Sequence, residues 1–498
     1  MSTDPVEVLV VGAGPSGLFA AVELARHGVR PRIVERRPRP HREARATALQ
    51  PGTLEVLARA GVLDEVLASS MHLPFARVFD AELTQVSEMR FAGAGCRWEH
   101  QCSLPQWRTE QILADRLSSL DVSLERGVTV SSVQPRADAV LVTLERPDGT
   151  TESLQTQYLV GAGGAHSVTR AAMAGVLGGD TYPGTALAAD VRVRCGLPRD
   201  GPALIATPQG YVLLTPLPDD WWLTFIGDLY DDELERLERD RSADTIAGLL
   251  SRRITGRLKL VDVDWASRFE MHRRIASRLA GERWFLLGDA GHLSSPFGGE
   301  GLNSGLHDGH NLAWKLALTV QGRARGALLD SFEPERMLAD RQALEVSDQL
   351  HGLAHAAVEA ARTGVRPPPP TAEQVAALVR ARSMLDISYA GGPLLGEYLT
   401  PGGPPPPSPE PGDRFPDQVS PRTSHLLLLF GAADRDASSR LGRRWGGLLD
   451  VAEAADDDPR TGAILIRPDG YVSFRSNATD AAALTAIDQH IESYLIAA

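Results

Sequence analysis

Apolar residues near the start of the chain change their spacing in a way that predicts a strand, a helix and a second strand. Residues 8–11 form a short run rich in valine, which is typical of a buried parallel strand. Apolar residues then recur at helical spacing over residues 18–25, and Gly28 ends the helix. A second apolar strand, residues 32–34, leads to Glu35. Strand, helix and strand in this order indicate a parallel α/β sheet.

The turn between the first strand and the helix carries Gly12, Gly14 and Gly17 in G-x-G-x-x-G spacing. In a dinucleotide site these glycines allow a tight turn, close approach of a pyrophosphate, and packing of the helix on the strand. The helix N-terminus attracts phosphate, and an acid such as Glu35 accepts hydrogen bonds from a ribose hydroxyl. A purely structural turn is the weaker interpretation, because strand, helix and acid all lie where the motif requires them. The nucleotide-binding residues predicted in this unit are Gly12, Gly14, Pro15, Ser16, Gly17, Glu35 and Arg36.

The basic segment after the second strand has two interpretations. Arg36, Arg37 and Arg39 can lie near the adenosine end of a dinucleotide, or they can form a solvated surface. The sequence leaves both open.

Alternating apolar and polar positions return between residues 180 and 270, where they predict a β-sheet with one helix near 243–253. Tyr211, Trp222 and Phe225 place aromatic side chains in this sheet. Such side chains can fill a core or present a flat apolar surface to a ligand. We predict them as substrate-binding residues while leaving the core interpretation open.

A second strand-and-glycine segment follows. A buried strand over residues 284–287 ends in Gly288-Asp289, and the loop SSPFGGEGLNSG precedes helical spacing over 302–320. A further helix is predicted over about 330–362, with a break near Pro334. The proline-rich stretch 401–413 marks a boundary, and a compact α/β segment without a CxxC motif follows it.

Composition narrows the class of protein. The chain has 498 residues and a net charge of −13, which argues against binding to nucleic acid or to an anionic membrane. No apolar run approaches the ~20 residues needed to span a bilayer, and no signal-peptide pattern opens the chain. The three cysteines form no metal or redox motif, so we expect a cytoplasmic protein.

Three separated blocks occur together and in order: GAGPSG followed by Glu35, then YLVGAGGAHSVTR, then WFLLGDAGHLSSPFGGEGLNSG. This combination resembles the FAD-dependent aromatic hydroxylases, the class A flavoprotein monooxygenases related to p-hydroxybenzoate hydroxylase. It is most similar to the aromatic polyketide and phenol hydroxylases that add a thioredoxin-like C-terminal domain, and PGDRFPD and RPDGYVSFR carry that part of the likeness. The resemblance covers nearly the whole chain.

The resemblance implies an α/β fold with a Rossmann-like (GR2-type) FAD-binding domain, an inserted β-sheet substrate domain and a C-terminal thioredoxin-like domain without CxxC. The expected boundaries are 1–179 for the first part of the FAD-binding domain, with 73–100 able to contribute to the substrate side, 180–272 for the substrate sheet, 273–400 for the second part of the FAD-binding domain with the long helices, 401–413 for the linker and 414–498 for the last domain.

It also implies further contacts with FAD. Asp289 matches the aspartate that binds the ribityl chain, and Arg45 matches an arginine near the pyrophosphate and the nicotinamide path. The helix beginning near Leu302 would direct its N-terminus at the flavin N1, where it stabilises negative charge by roughly 0.3–2 kcal/mol. The further FAD contacts implied are Arg45, Gln106, Gly288, Asp289, Pro296, Gly299, Gly301, Leu302 and Asn303, with Arg45, Pro296 and Gly298 forming the catalytic environment of the flavin ring.

The implied chemistry is oxygen transfer from a flavin C4a-hydroperoxide to a polycyclic aromatic, polyketide-like substrate, after reduction of FAD by NADPH or NADH. The expected partners are this small aromatic molecule and O2, with no nucleic acid, no membrane and no metal. The chain is expected to be a monomer or a homodimer. An FAD oxidoreductase without oxygen insertion, and a non-catalytic FAD-bound partner of another enzyme, are the alternatives.

Two positions depart from the family pattern. The family has Asp-Gly where this chain has Gly163-Gly164, and that aspartate is implicated in FAD and NAD(P)H interactions. The family GGQG is GGEG here, so Glu300 adds a carboxyl group near the expected flavin. An ionised Glu300 would oppose an anion at N1, whereas a protonated one would act as a donor like glutamine. The base that deprotonates the substrate is not assigned, since His272, Arg273 and His292 all have structural alternatives.

Overall fold

The computed structural model describes residues 6–42, 46–93, 95–173, 175–365, 368, 370–416, 420–455 and 457–497. Arg45, which the sequence predicts to contact FAD, lies outside the described residues. The strands are β1 Val6–Val11, β2 Arg32–Glu35, β3 Ala48–Leu49, β4 Met71–Leu73, β5 Phe75–Phe79, β6 Gln85–Arg90, β7 Gln101–Ser103, β8 Leu124–Arg126, β9 Thr129–Pro135, β10 Val140–Glu145, β11 Thr151–Gly161, β12 Leu177–Cys195, β13 Ala203–Thr207, β14 Gly210–Pro216, β15 Trp222–Ile226, β16 Leu258–Ala276, β17 Trp284–Leu286, β18 His292–Leu293, β19 Gly396–Tyr398, β20 His425–Phe430, β21 Leu449–Glu453, β22 Gly462–Ile466 and β23 Val472–Ser476. The helices are α1 Pro15–Arg26, α2 Pro51–Ala60, α3 Leu63–Ser69, α4 Gln106–Ser119, α5 Val168–Ala172, α6 Asp231–Arg239, α7 Ala243–Arg253, α8 Glu300–Val320, α9 Gly326–Asp330, α10 Phe332–Thr363, α11 Ala372–Arg382, α12 Arg435–Trp445 and α13 Ala481–Glu492.

The N-terminal strand–helix–strand unit lies at the centre of the first sheet, whose order is β8-β2-β1-β11-β10-β9 with β17 beside β11. Strands β2, β1, β11 and β17 run parallel, and Val10 pairs with Ile33 on one side and Val160 on the other. Helix α1 packs between this sheet and α8. The predicted Rossmann-like arrangement is confirmed, and it brings the carboxyl ends of β1, β11 and β17 to one edge of the sheet, where ligands bind in such folds.

A second, mostly antiparallel sheet has the order β18-β16-β12-β15-β14-β13-β5-β6. The long strands β12 and β16 pair along most of their length and join it to the first sheet. The stretch 73–100 contributes β5 and β6, with β5 pairing to β13. Helices α6 and α7 cover one face of this sheet, while α10 packs against β13 and β14 from the other side.

The C-terminal unit is a sheet of order β19-β23-β22-β20-β21 with α12 and α13. Strands β20 and β22 are fully buried, as expected for a sheet covered on both faces. One of its apolar clusters includes Trp314 and Leu318 of α8, so the unit is packed directly onto that helix.

The helix containing Pro334 differs from the prediction, because α10 runs without a break from Phe332 to Thr363. Pro334 lies in its first turn, where a backbone N–H has no intrahelical acceptor, so the proline removes no hydrogen bond. Helices α6, α11 and α12 were not predicted, because their short apolar patterns lie among many charged residues. None of the described helices has the length and apolarity required to cross a bilayer.

Candidate active site

One cavity of about 1620 Å³ lies between the edge of the first sheet and the inner face of the second. It extends from Gly12 and Glu35, past Asp289 and Pro296, to Leu223 and Phe225. Ligand cavities commonly measure about 300–1000 Å³, so this one has room for a large cofactor and a second molecule.

The glycine turn forms one end of the cavity. Gly12 has a φ of +107°, and a Cβ there would lie 2.3 Å from the carbonyl oxygen of Ala162, so only glycine fits. At Gly17 a Cβ would lie 2.0 Å from the carbonyl oxygen of Gly12. At Gly14 a Cβ would meet nothing within 4 Å, because this backbone faces the open cavity at the N-terminus of α1. The turn is therefore a cradle with space for phosphate in front of it.

The predicted side chains around this turn also reach the cavity. Pro15, Ser16, Arg36 and Gln106 line it. Glu35 lines it as well and accepts a hydrogen bond of 2.9 Å from the backbone N–H of Ala13, which connects the end of β2 to the glycine turn.

The Gly288-Asp289 turn lies opposite α1 and is held by a buried aspartate on α8. Asp308 accepts hydrogen bonds from the backbone N–H of Gly288, at 2.9 Å, and from Nε of Arg336, at 2.7 Å. Asp308 thus fixes the backbone of this turn, and the exposed Asp289 lines the cavity.

The loop before α8 forms the wall between the two ends of the cavity. Pro296, Gly298, Gly299, Gly301 and Leu302 line it, and Gly298 and Gly299 have φ values of +86° and +74°. Asn303 holds the loop by accepting a hydrogen bond from the N–H of Gln50, at 2.9 Å, and by donating to the carbonyl oxygens of Ala48 and Gly299, at 2.9 and 2.6 Å.

Glu300, the first residue of α8, is 1% exposed, and neither of its carboxyl oxygens has a hydrogen-bond partner among the described residues. Burial raises the pKa of this carboxyl group well above its usual value, and the charge of Arg382 opposes only part of that rise. Burial therefore favours the neutral acid, which is the donor-like alternative of the two that the sequence left open.

Gly163 lines the cavity next to the glycine turn. A Cβ there would lie 3.6 Å from Cα of Ser167, which is an ordinary contact, and its φ lies outside the left-handed region. The structure would therefore accept an aspartate at this position.

At the far end of the cavity, the central strands β14 and β15 of the second sheet present apolar side chains. Strand alternation directs Leu213, Leu223 and Phe225 to the cavity face, and Trp222 to the opposite face, where it packs under α6 and α7. Tyr211 lies behind the cavity wall with its ring centroid 5.1 Å from that of Phe297. Of the three predicted aromatic residues, the structure therefore places Phe225 on the cavity and the other two in packing positions.

Of the three residues that the sequence left unassigned, His272 lines the cavity, whereas Arg273 and His292 do not. His272 lines the cavity and is 3.0 Å from Thr181 Oγ1 through Nδ1, while Arg273 forms an ion pair with Asp348. His292 is buried away from the cavity; although burial disfavours its charge, Asp340 and Asp308 raise the pKa of His292 to about 9.

Comparison with known families decides the class of protein. Residues 5–347 match the model of an FAD binding domain, and residues 412–493 match the C-terminal domain of aromatic-ring hydroxylases. The chain belongs to the FAD-dependent aromatic-ring hydroxylases.

Individual relatives agree with this family. The hydroxylase is 32% identical to a 6-methylpretetramide 4-monooxygenase from Streptomyces rimosus, with 97% of this chain and 93% of the relative covered. It is 26% identical to the solved anhydrotetracycline hydroxylase from Streptomyces rimosus, with a TM-score of 0.74 and coverage of 95% and 96%. It also shares its fold with an aklavinone-11 hydroxylase solved with FAD and aklavinone, at 24% identity, a TM-score of 0.80 and 99% coverage of both chains.

The residues of this hydroxylase fit FAD. The open space at Gly14, the residue Asp289 and the loop before α8 all line a single cavity, where they would hold the pyrophosphate, the ribityl chain and the ring of FAD. Sequence reasoning missed Gln50, Gln101 and Arg382, which also lie at or beside the cavity. They come from short or weakly patterned segments, and the only signal was the polar character of each residue.

Proposed function

We propose that this hydroxylase is a monooxygenase that hydroxylates, or inserts oxygen into, a polycyclic aromatic substrate of the polyketide type, with NADPH or NADH as the electron donor. The observation that carries the proposal is the continuity of the cavity from the glycine turn, past the 296–299 loop, to the apolar face of the second sheet. A flat substrate on that face would lie beside the ring of a bound FAD.

The bound FAD supplies the electron transfer and the activation of O2. The chain supplies binding and positioning. The N-terminal ends of α1 and α8 stabilise negative charge on phosphates and on the reduced ring. The apolar side chains Leu213, Leu223 and Phe225 exclude water where the aromatic substrate would lie.

The names of the relatives support this substrate class. One relative acts on 6-methylpretetramide, and another, 30% identical with 94% of each chain covered, is a 12-dehydrotetracycline 5-monooxygenase and anhydrotetracycline 6-monooxygenase. Both names describe oxygenation of polycyclic molecules, which agrees with the volume of the cavity and with the apolar side chains at its far end.

The test is anaerobic mixing of FAD-loaded protein with NADPH or NADH, with and without a panel of polycyclic phenols, while the flavin absorbance is followed. We expect bleaching that is faster with a ligand present and, after admission of isotopically labelled O2, a product carrying the label. Failure of both nucleotides to reduce a flavin that dithionite still reduces would contradict the proposal.

A second candidate is an FAD enzyme without oxygen insertion, or an FAD-bound partner protein, and Gly163 is the observation that favours it. Rapid reduction without labelled product would support the first of these. Absence of reduction would support the second.

A further inference from the structure

Arg382 is the last residue of α11, and its half-buried side chain lines the cavity. Nη2 lies 3.3 Å from Oε1 of Gln101, and Cζ lies 5.3 Å from the ring centroid of Phe91. Its Nε is buried without a hydrogen-bond partner among the described residues. The guanidinium group is thus a cation with an unused donor at the cavity wall.

Two other arginines of the cavity wall, Arg77 and Arg268, differ, because a carboxylate is hydrogen-bonded to each of them. Arg77 is held by Asp200 and Glu88, with contacts of 2.6 and 2.9 Å. Arg268 lies 3.2 Å from Glu238. Their charges are neutralised locally, so neither offers a comparable site for an anion.

The acid that acts on Arg382 is Glu300. Both carboxyl oxygens of Glu300 are buried and unpartnered, in a place where an ionised carboxylate would be costly. A neutral Glu300 does not cancel the guanidinium charge. Burial lowers the pKa of the Arg382 guanidinium group to about 10, so the group stays charged at neutral pH. Among the described residues, Glu300 is the titratable group whose charge would raise that pKa.

The same corner contains another unused polar atom. Gln50 is buried and donates its amide to the carbonyl oxygen of Gly298, while its Oε1 has no partner among the described residues. Gly298 and Gly299 line the cavity beside this group, at the loop expected to face the flavin ring. Arg382, to which no carboxylate is hydrogen-bonded among the described residues, therefore lines the same cavity as the loop expected to face the flavin ring.

We propose that Arg382 binds an ionised hydroxyl oxygen of the substrate, a phenolate or enolate, and that the buried Glu300, which is not hydrogen-bonded to Arg382, leaves the guanidinium group available for it. The inference rests on the proposed function, since that function places a hydroxylated aromatic in this part of the cavity. A charge-assisted hydrogen bond from a guanidinium group stabilises the ionised form of a hydroxyl group over the neutral form. Arg382 thereby selects fused rings that carry an acidic hydroxyl group.

The experiment uses the FAD-loaded protein without reductant and danthron, a dihydroxyanthraquinone whose visible absorption shifts on ionisation. Difference spectra against the same protein without dye give the pKa of the bound dye. We expect ionisation at a pH lower than that of the free dye by about one unit, a tenfold preference for the anion. Arg382→Gln removes the shift, and Arg382→Lys, which keeps the charge, retains part of it.

Two further variants make the test specific. Glu300→Gln leaves the dye shift unchanged if Glu300 is neutral, and Arg268→Gln, which removes a cavity arginine already neutralised by Glu238, also leaves it unchanged. The dimethyl ether of danthron, which cannot ionise, binds about tenfold more weakly than the dye at a pH where the dye is ionised. Retention of FAD checks that each variant is folded.

An identical dye pKa in the parent protein and in Arg382→Gln would overturn the inference, as would failure of danthron to bind. A marked additional drop of the dye pKa in Glu300→Gln would overturn the neutral state of Glu300. The outcome is separable from that of the proposed function, because the dye shift requires no turnover. An intact shift in a protein that never incorporates oxygen would refute the monooxygenase alone.

Discussion

Arg467 donates two hydrogen bonds, of 2.7 and 2.9 Å, to the carboxylate of Glu335, and both side chains are completely buried. Arg467 follows β22 in the C-terminal unit, whereas Glu335 belongs to α10. Lys315 of α8 also donates to Glu335, at 2.6 Å. Since α8 begins at the loop that lines the cavity, the C-terminal unit holds the helix on which the expected flavin site depends.

Replacement of Arg467 by alanine is expected to lower the free energy of unfolding by about 3–5 kcal/mol, because it leaves the buried carboxylate of Glu335 without its main partner. Chemical denaturation gives this value. The matched control is Arg422→Ala, which removes the exposed ion pair with Asp450 and should cost about 0–1 kcal/mol. Equal losses in the two variants would contradict a special role for the buried pair.

The Gly163→Asp variant is expected to fold normally and to be reduced by NADPH or NADH at least as fast as the parent protein. The position has room for a side chain, and it lies on the cavity beside the glycine turn. An aspartate there restores the carboxylate that the family resemblance implicates in FAD and NAD(P)H interactions. Stopped-flow measurement of flavin bleaching tests this, with Gly163→Asn as the uncharged control of equal size. A variant that loses FAD would show that Gly163 is required by the structure.

Phe225 and Trp222 lie on opposite faces of β15. Replacement of Phe225 should therefore affect ligand binding, and replacement of Trp222 should affect the stability of the fold. Phe225→Ala is expected to weaken binding of a polycyclic phenol, measured by fluorescence quenching. Its effect on ligand affinity should be larger than its effect on the free energy of unfolding. Trp222→Ala is expected to lower the free energy of unfolding by about 3–5 kcal/mol, because it leaves a cavity under α6 and α7. Strong loss of ligand affinity in a stable Trp222→Ala protein would reverse this assignment.

The parts of the site that lie in continuous glycine motifs could be predicted from the sequence. Gly12, Gly14 and Asp289 belong to strand–turn segments in which the residue type follows from the backbone path and from the expected ligand. The first sheet could be predicted for the same reason, because its central strands are short buried runs separated by recognisable turns.

Other parts could not be predicted, because they depend on how separate elements meet. Gln50, Gln101 and Arg382 come from three distant segments and have no shared pattern. The period of two along β15 places Trp222 and Phe225 on different faces, but which face meets the cavity depends on the packing of α6 and α7. The protonation state of Glu300 likewise depends on burial, which the motif alone does not reveal.

Asn303→Asp is expected to weaken FAD binding by about 1–3 kcal/mol, because the aspartate keeps the acceptor for Gln50 but cannot donate to Ala48 and Gly299. Titration of the apoprotein with FAD measures the affinity. The control is Asn477→Asp, an equal change in the C-terminal unit, where Asn477 contacts Thr400 and Pro404. An unchanged FAD affinity in Asn303→Asp would mean that the loop is held without these donors.

The pH dependence of stability should report His292. Its pKa rises from 6.5 in the unfolded chain to about 9 in the folded one, since Asp340 and Asp308 outweigh the effect of burial. The folded state therefore binds the extra proton between these values, so the stabilisation is complete below pH 6.5 and is lost as the pH rises through about 9. We expect a decline of about 3 kcal/mol over that window that is absent in His292→Gln. Lys315, whose pKa is lowered to about 8 mainly by burial, titrates in the same window but is present in both proteins, so it cancels in the difference. Denaturant unfolding of both proteins across this range measures the difference, and parallel curves would show that His292 is not charged in the folded state.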